Sequence, residues 1–307
     1  MKVLVTGGAG FVGSAVVDRL LALGHAAVVV DDLSSGCPDV PCQAAFYKVD
    51  VRDAAALDEV LACEKPEVVS HHAAQASVRE SAAGPAHDAS VNVVGLLNLL
   101  QACARHRVEH FVFASSGGAI YGEQERFPAD EGHPLRPISP YGVAKLASEN
   151  YLRCFQLMHG LPFVSLRYAN VYGPPKRRRG GSGAVALLAG RLLRGQSVRI
   201  SGDGCQTRDF VYLEDVVEAN VLAIGSRCQG VFNVGTGVET SVNDLFAHLQ
   251  RLTGHFVDPE YVPAMAVEQR RSALDAARIT RQMGWKPRTP LMDGLAQTVA
   301  RLHDVTA

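Results

Sequence analysis

Apolar residues along this chain fall in short runs between polar turns, and their period switches between that of a strand and that of a helix. Residues 2–5 are a β-branched run that ends in Thr6-Gly7-Gly8-Ala9-Gly10. From Phe11 the spacing turns helical, with Val12, Val16, Val17, Leu20, Leu21 and Leu23 on the apolar side, until Gly24 stops it. Residues 26–30 form a second apolar run closed by Asp31-Asp32. Strand, glycine-rich turn, helix and strand follow each other as in a βαβ unit.

The alternation continues. The pattern predicts strands at 46–49, 67–70, 110–114 and 162–166, and helices at 54–61, 92–104 and 140–159. Such an order argues for an α/β fold, a doubly wound parallel sheet covered by helices on both faces. Ligands of these sheets sit beyond the carboxyl ends of the strands. The glycine loop, Ala73-Ala74-Gln75, Ser115-Ser116 and Tyr168 all fall there, on one rim. After Val171 the texture changes: Pro174-Pro175, the basic run 176–179 and Gly180-Gly181-Ser182-Gly183 make a long polar loop suited to cover a substrate. Helices are predicted at 184–193, 215–224 and 242–252, and strands at 209–213 and 231–234. The division expected is a first domain over 1–170, to which 209–235 returns, and a smaller α/β domain over 171–208 and 236–307.

Composition narrows the function. A net charge of −1 gives no global attraction to nucleic acid or membrane, and the basic run lacks interleaved aromatics. No apolar run approaches the ~20 residues of a membrane span, and the N-terminus lacks a secretory signal pattern. The seven cysteines (37, 42, 63, 103, 154, 205, 228) contain no Cys-x-x-Cys, so reduced thiols in a cytoplasmic protein are expected. His106 and His110 are four apart without a His-Glu-x-x-His, and no metal site is expected.

Two motifs carry chemistry. Gly7-x-x-Gly10-x-x-Gly13 between strand and helix lets the backbone approach a pyrophosphate at a helix N-terminus. Asp31, closing the second strand, suits ribose hydroxyls and repels a 2′-phosphate, which favours NAD over NADP. Tyr141-Gly-Val-Ala-Lys145 follows the helix start Ser139-Pro140. Four residues apart, the ammonium lies one turn from the phenol and favours its ionised form, bringing its pKa towards 7. Such a phenol takes a proton from a sugar or alcohol hydroxyl.

With these motifs in place, the chain resembles the extended short-chain dehydrogenase/reductase family, and within it the NAD-dependent nucleotide-sugar epimerases of UDP-glucose/UDP-galactose 4-epimerase type. Further segments share the likeness: His72-Ala73-Ala74-Gln75, Ser115-Ser116-Gly117-Gly118-Ala119-Ile120-Tyr121-Gly122, Leu166-Arg167-Tyr168-Ala169-Asn170, Gln206-Thr207-Arg208-Asp209 and Asn233-Val234-Gly235-Thr236-Gly237. The resemblance implies a Rossmann-type fold and a homodimer paired through the helices at 92–104 and 140–159. It implies NAD held by Gly7, Gly10, Phe11, Val12, Asp31, Asp32, Ser35, Gly36, Asp50, Val51, Ala73, Ala74, Gln75, Asn92, Tyr141, Lys145 and Tyr168. Ser116, Tyr141 and Lys145 are the implied catalytic residues, with Ser115 as the alternative hydroxyl. Asn170 and Arg208 are implied at the nucleotide diphosphate, and Ala184 and Val185 against uracil. Where relatives carry a further arginine this chain has Met265, so that a second diphosphate arginine is either missing or replaced by Arg270 or Arg271. Nucleotide-sugar dehydratases place an Asp-Glu pair after the hydroxyl residue; here glycine and alanine stand there, which favours epimerisation of a UDP-hexose over elimination. Ser272 is aligned with a sugar-pocket position, and its small size leaves room for UDP-N-acetylglucosamine. The run 176–179 suits UDP-glucuronate, and a non-catalytic NAD-binding sensor is the reading from another class.

Overall fold

The apolar runs become the strands of a seven-stranded parallel sheet in the computed structural model, which describes all residues except 36, 38, 175–182, 265–267 and 307. In chain order the elements are β1 (Lys2–Thr6), α1 (Phe11–Ala22), β2 (Ala26–Asp31), β3 (Ala45–Lys48), α2 (Ala54–Glu64), β4 (Val68–His71), α3 (Val78–Ala83) and α4 (Pro85–Ala89). A π-helical turn (Ser90–Val94), α5 (Gly95–Arg105), β5 (His110–Ser116), α6 (Gly117–Ile120), α7 (Pro140–His159) and β6 (Phe163–Tyr168) follow. The rest comprises β7 (Asn170–Tyr172), α8 (Ala184–Leu193), β8 (Arg199–Ser201), β9 (Thr207–Tyr212), α9 (Leu213–Gly225), β10 (Gly230–Val234), β11 (Glu239–Ser241), α10 (Val242–Thr253), β12 (Glu260–Val262), α11 (Ala277–Met283) and α12 (Leu291–Thr306).

The large sheet runs β10-β6-β5-β4-β1-β2-β3. Its order reverses between β1 and β4, whose register sets Thr6 beside His71, so the ligand crevice of a doubly wound sheet opens there. Alternate residues feed two cores. Val3, Val5, Val112 and Phe232 pack with Val16 and Leu20 of α1 and Val216 of α9. Leu4, Val28, Val69 and Phe111 pack with Leu57, Leu96 and Leu152 on the other face.

The smaller unit has its own core, in which Tyr172, Val185, Leu188, Phe210, Leu245 and Leu295 meet. Its sheets are small: β11-β9-β7 and β12-β8. Residues 209–235 divide between the two units. Strand β9 pairs with β7 and β11, while α9 packs on α1 and β10 pairs with β6.

Helix α7 has the limits read from sequence, because both ends are written chemically. Ser139 Oγ accepts from the Gly142 N–H (3.1 Å), Pro140 occupies the first turn, and Gly160 closes the helix at φ 67°. Segment 78–105 differs from the single helix expected at 92–104. Gly84-Pro85 splits α3 from α4, and a π turn precedes α5. Among the described residues no helix is long and apolar enough to cross a membrane.

Candidate active site

The glycine loop is pressed against the end of β4. Gly7 has φ 66°, and a Cβ there would meet Ala73 N at 2.5 Å and the His72 carbonyl carbon at 2.7 Å. A Cβ at Gly13 would collide with the Gly7 carbonyl oxygen. Gly10 starts α1 with no side-chain cap, so the first-turn N–H groups remain available to an anion. This cradle fits a pyrophosphate. Asp31 is buried at the tip of β2, accepting from Ala9 N (3.0 Å) and Leu33 N (2.8 Å). Burial raises its pKa, and those two bonds oppose the rise. Asp32 faces outward and caps Ser34 (2.9 Å), with exposed Ser35 beside it; Gly36 lies outside the described residues. Asp50 is bound by the Arg52 guanidinium (3.0 Å). Val51 is buried against Gly95.

Along the rim, Gln75 and Asn92 are tied together: Asn92 Oδ1 accepts from Gln75 N (3.0 Å), and Asn92 Nδ2 donates to Gln75 O (2.9 Å). Tyr141 stands in the first turn of α7, half-buried, its phenol hydrogen-bonded with Ser116. Lys145, one turn on, is 4 % exposed. Its Nζ donates to Ala114 O (2.8 Å) and lies 4.8 Å from the Phe113 ring centre and 5.7 Å from that of Tyr141. Burial lowers the ammonium to about 8, against the opposing pull of Asp88 and Glu149.

Beyond this dyad a cleft is lined by Phe11, Asn170, Tyr172, Ala184, Val185 and Phe210, so the start of α1 and the start of α8 share one wall. Deeper in the small unit, Arg208 is largely buried. It donates to Thr207 O (2.7 Å) and sits 3.6 Å from Glu268.

A chain with this fold and rim matches the family model "NAD dependent epimerase/dehydratase family" over residues 3–235. The chain belongs to this family. The chain is 44% identical over 306 residues to a UDP-glucose 4-epimerase of Mycolicibacterium smegmatis, with 97% of each covered. It superposes on the crystal structure of the Thermotoga maritima UDP-glucose 4-epimerase with UDP-glucose at TM-score 0.97, with 44% identity and 100% of both chains covered. The Thermus thermophilus UDP-glucose 4-epimerase complex with NAD gives TM-score 0.93 and 42% identity, covering 98% of this chain and 99% of that one.

For a member of the epimerase/dehydratase family, the two serines divide sharply. Ser115 Oγ donates to Glu149 Oε1 (2.7 Å) inside a buried network, where Arg167 grips the same carboxylate (3.0 and 2.6 Å). Ser115 is therefore turned away from the phenol, and Ser116 is the hydroxyl that meets it. A side chain at 117 could not take that place, since a Cβ there would lie 2.5 Å from Leu274. Gly118 sits between Ser116 and Asn170, with its missing Cβ 3.3 Å from Asn170 Oδ1.

One expectation is corrected. The phenol of Tyr141 is raised to about 12, not lowered towards 7: burial dominates, the Ser116 bond opposes it, and Asp88 adds to the rise. The Lys145 ammonium donates to the Ala114 carbonyl, and its charge does not outweigh that burial. Asp209, next to Arg208 in sequence, makes no ion pair with it among the described residues. Its buried carboxylate accepts from Thr236 N, Thr236 Oγ1, Gly237 N and Leu274 N, locking two loops together. Arg271 is half-exposed, clamped by Glu239 (2.9 Å) and stacked 3.8 Å over Phe127, while Arg270 pairs with Asp203 (2.7 Å). Neither joins Arg208 directly. Tyr168 donates its hydroxyl to Asn220 Oδ1 (2.9 Å) in α9. The basic run 176–179 and Met265 lie outside the described residues.

Sequence reasoning passed over Asp88, Glu149 and Glu268. Glu149 was findable as the residue one turn beyond Lys145 on α7. Asp88 was hidden because the π turn breaks the helical period between it and Asn92.

Proposed function

We propose that this protein interconverts UDP-hexoses at carbon 4, with UDP-glucose and UDP-galactose as the reference pair, and retains NAD between turnovers. The observation that carries this reading is the convergence of Ser116, Tyr141 and Lys145 beside an uncapped glycine cradle, with no carboxylate at 117–119. Gly7, Gly10 and the first turn at Phe11 and Val12 would hold the pyrophosphate, and Asp31 the adenosine ribose, with Asp32, Ser35, Asp50 and Val51 around the adenosine. Ala73, Ala74, Gln75, Asn92 and Tyr168 frame the nicotinamide end. When bound, NAD supplies the reversible hydride acceptor for sugar carbon 4.

Tyr141 accepts the proton of the 4-hydroxyl, and Ser116 steadies that oxygen and relays the proton. Lys145 supplies the positive charge that makes the phenolate accessible. The 4-keto sugar turns in the cleft before reduction on its other face. Asn170 and Arg208 bind the diphosphate, Arg271 guards its rim, and Ala184 and Val185 cover uracil. Without an acid–base pair at 117–119, elimination has no proton carrier. We read 1–170, with the segment returning from α9 through β10, as the NAD unit and the remainder as the nucleotide-sugar unit.

Two further readings belong to this proposal. Helix α7 exposes Val143, Tyr151, Leu157 and Met158, and Val94 is exposed before α5. These make an apolar stripe that we assign to a homodimer built on both helices. Val143→Glu should give a monomer by light scattering; a wild-type monomer at micromolar concentration would refute the assignment. Seven free cysteines accord with work in the cytoplasm.

The test is proton NMR of the anomeric region. Protein purified without added NAD is incubated with UDP-galactose, UDP-N-acetylgalactosamine or UDP-galacturonate. Conversion of UDP-galactose to its 4-epimer is expected. Ser272, buried and small, predicts that the N-acetyl sugar is also turned over. Absence of conversion in all three tubes, with NAD supplied, overturns the reading.

A further inference from the structure

Asp88 is a carboxylate that nothing in the proposed chemistry uses. It is 1 % exposed, on α4. Its Oδ1 accepts from both Asn92 Nδ2 (3.0 Å) and Gln75 Nε2 (2.9 Å), so one oxygen ties together the two amides at the nicotinamide end of the rim. Its Oδ2 is buried and has no hydrogen-bond partner among the described residues. A buried carboxyl oxygen left without a donor is costly, and an amide or apolar residue would serve packing alone at lower cost.

The charges around it explain why it is kept. Lys145 makes no ion pair within 4 Å among the described residues, its Nζ being held by a main-chain carbonyl. The groups facing Lys145 are Asp88 on α4, Glu149 and Tyr141 on its own helix, and His71 at the end of β4 with His72 just after it. Burial keeps both histidines uncharged below neutrality, His72 down to about 3. Glu149 is neutralised by the bidentate Arg167. Asp88 faces Lys145, His87 on its own helix and the two amides. Among the described residues it is thus the carboxylate near the dyad without a cation of its own.

We propose that Asp88 is a positioning residue of the epimerase site: its charge keeps buried Lys145 protonated and sets the ionisation of Tyr141, while Oδ1 fixes Gln75 and Asn92. The inference rests on the epimerase reading for its kinetic consequence. The signs are definite. An anion near both groups acts to raise both pKa values: Asp88 adds to the rise that burial causes at Tyr141 and opposes the fall that burial causes at Lys145. Removing it lowers both, so both limbs of the rate profile move to lower pH.

The test is Asp88→Asn, with Asp88→Ser as the second uncharged variant still able to accept from the amides. Rate against pH is measured for the NAD-containing protein. The phenol is titrated separately by ultraviolet difference against a matching Tyr141→Phe protein. The expected result is a displacement of both limbs and of the phenol titration by about one pH unit towards acid. A lower rate with both limbs and the phenol titration unmoved shows a merely structural residue and overturns the proposal. If the wild type itself converts no UDP-sugar, the epimerase reading fails instead. The phenol titration alone then decides the role of Asp88.

Discussion

The two ends of the cleft are held in different ways. At the sugar-activating end, Ser116, Tyr141 and Lys145 are fixed by strand ends, a main-chain carbonyl and a buried hydrogen bond, with no surface charge involved. At the nucleotide end, Arg208, Arg270 and Arg271 are each matched to a carboxylate, Glu268, Asp203 and Glu239, and the last two pairs are half-exposed. Buried neutral contacts hold a geometry at all times, whereas solvent-screened ion pairs are weak and exchangeable. The first arrangement suits proton transfer, which needs fixed distances. The second suits a site that must trade its own carboxylates for an incoming diphosphate and release it afterwards.

This contrast can be broken experimentally. The largest effect is expected at the buried end: Tyr141→Phe should lower kcat by at least about a hundredfold, the lower range for a general acid–base group. NAD content after denaturation should be unchanged. Unaltered turnover would remove the phenol from the mechanism. Next, Arg208→Ala should raise KM about ten- to a hundredfold, from the loss of a charge-assisted contact worth about 1.5–3 kcal/mol. Arg271→Ala, at the screened rim, should change KM by less. Equal effects would dissolve the distinction between the two arginines.

The serines provide a sharper comparison. Ser116→Ala should reduce kcat with little change in unfolding midpoint. Ser115→Ala should cost about 1 kcal/mol of stability, since Glu149 keeps Arg167 and Ser165 as partners, and should leave chemistry nearly intact. The reverse pattern would move the catalytic hydroxyl to Ser115.

A smaller, pH-dependent effect follows from Lys145. Burial lowers its pKa to about 8, so the ammonium is present below that pH and lost above it. The phenolate fraction grows with pH while the ammonium fraction falls above about 8, so the rate should climb with pH up to about 8 and then level off. Lys145→Arg, which stays charged, should keep climbing past that pH even if its rate is lower. Levelling near that pH retained in the variant would place the titrating group elsewhere.

The same contrast governs how much was legible in the sequence. The large sheet was readable because most of its strands are buried on both faces and helix α7 is bounded by Ser139, Pro140 and Gly160, all local signals. The glycine cradle and the Tyr141–Lys145 pair lie at strand ends that the period itself marks. The small unit was less legible. Strands β7, β8, β11 and β12 have three residues each, too few to show a period, and their pairing joins distant segments such as 199–201 with 260–262. The partners of Arg208 and Arg271 depend on that pairing. The pKa of Tyr141 was misjudged because spacing reveals the ammonium but neither the burial of the phenol nor the carbonyl that holds the ammonium.

The most direct test of the account uses UDP-galactose carrying deuterium at carbon 4, in ordinary water. Oxidation and reduction at one carbon within one closed site predicts UDP-glucose with deuterium retained at carbon 4 and protium everywhere else. Loss of the label to solvent, or solvent hydrogen entering carbon 5 when the reaction is repeated in deuterium oxide, would mean that a different bond is being made and broken.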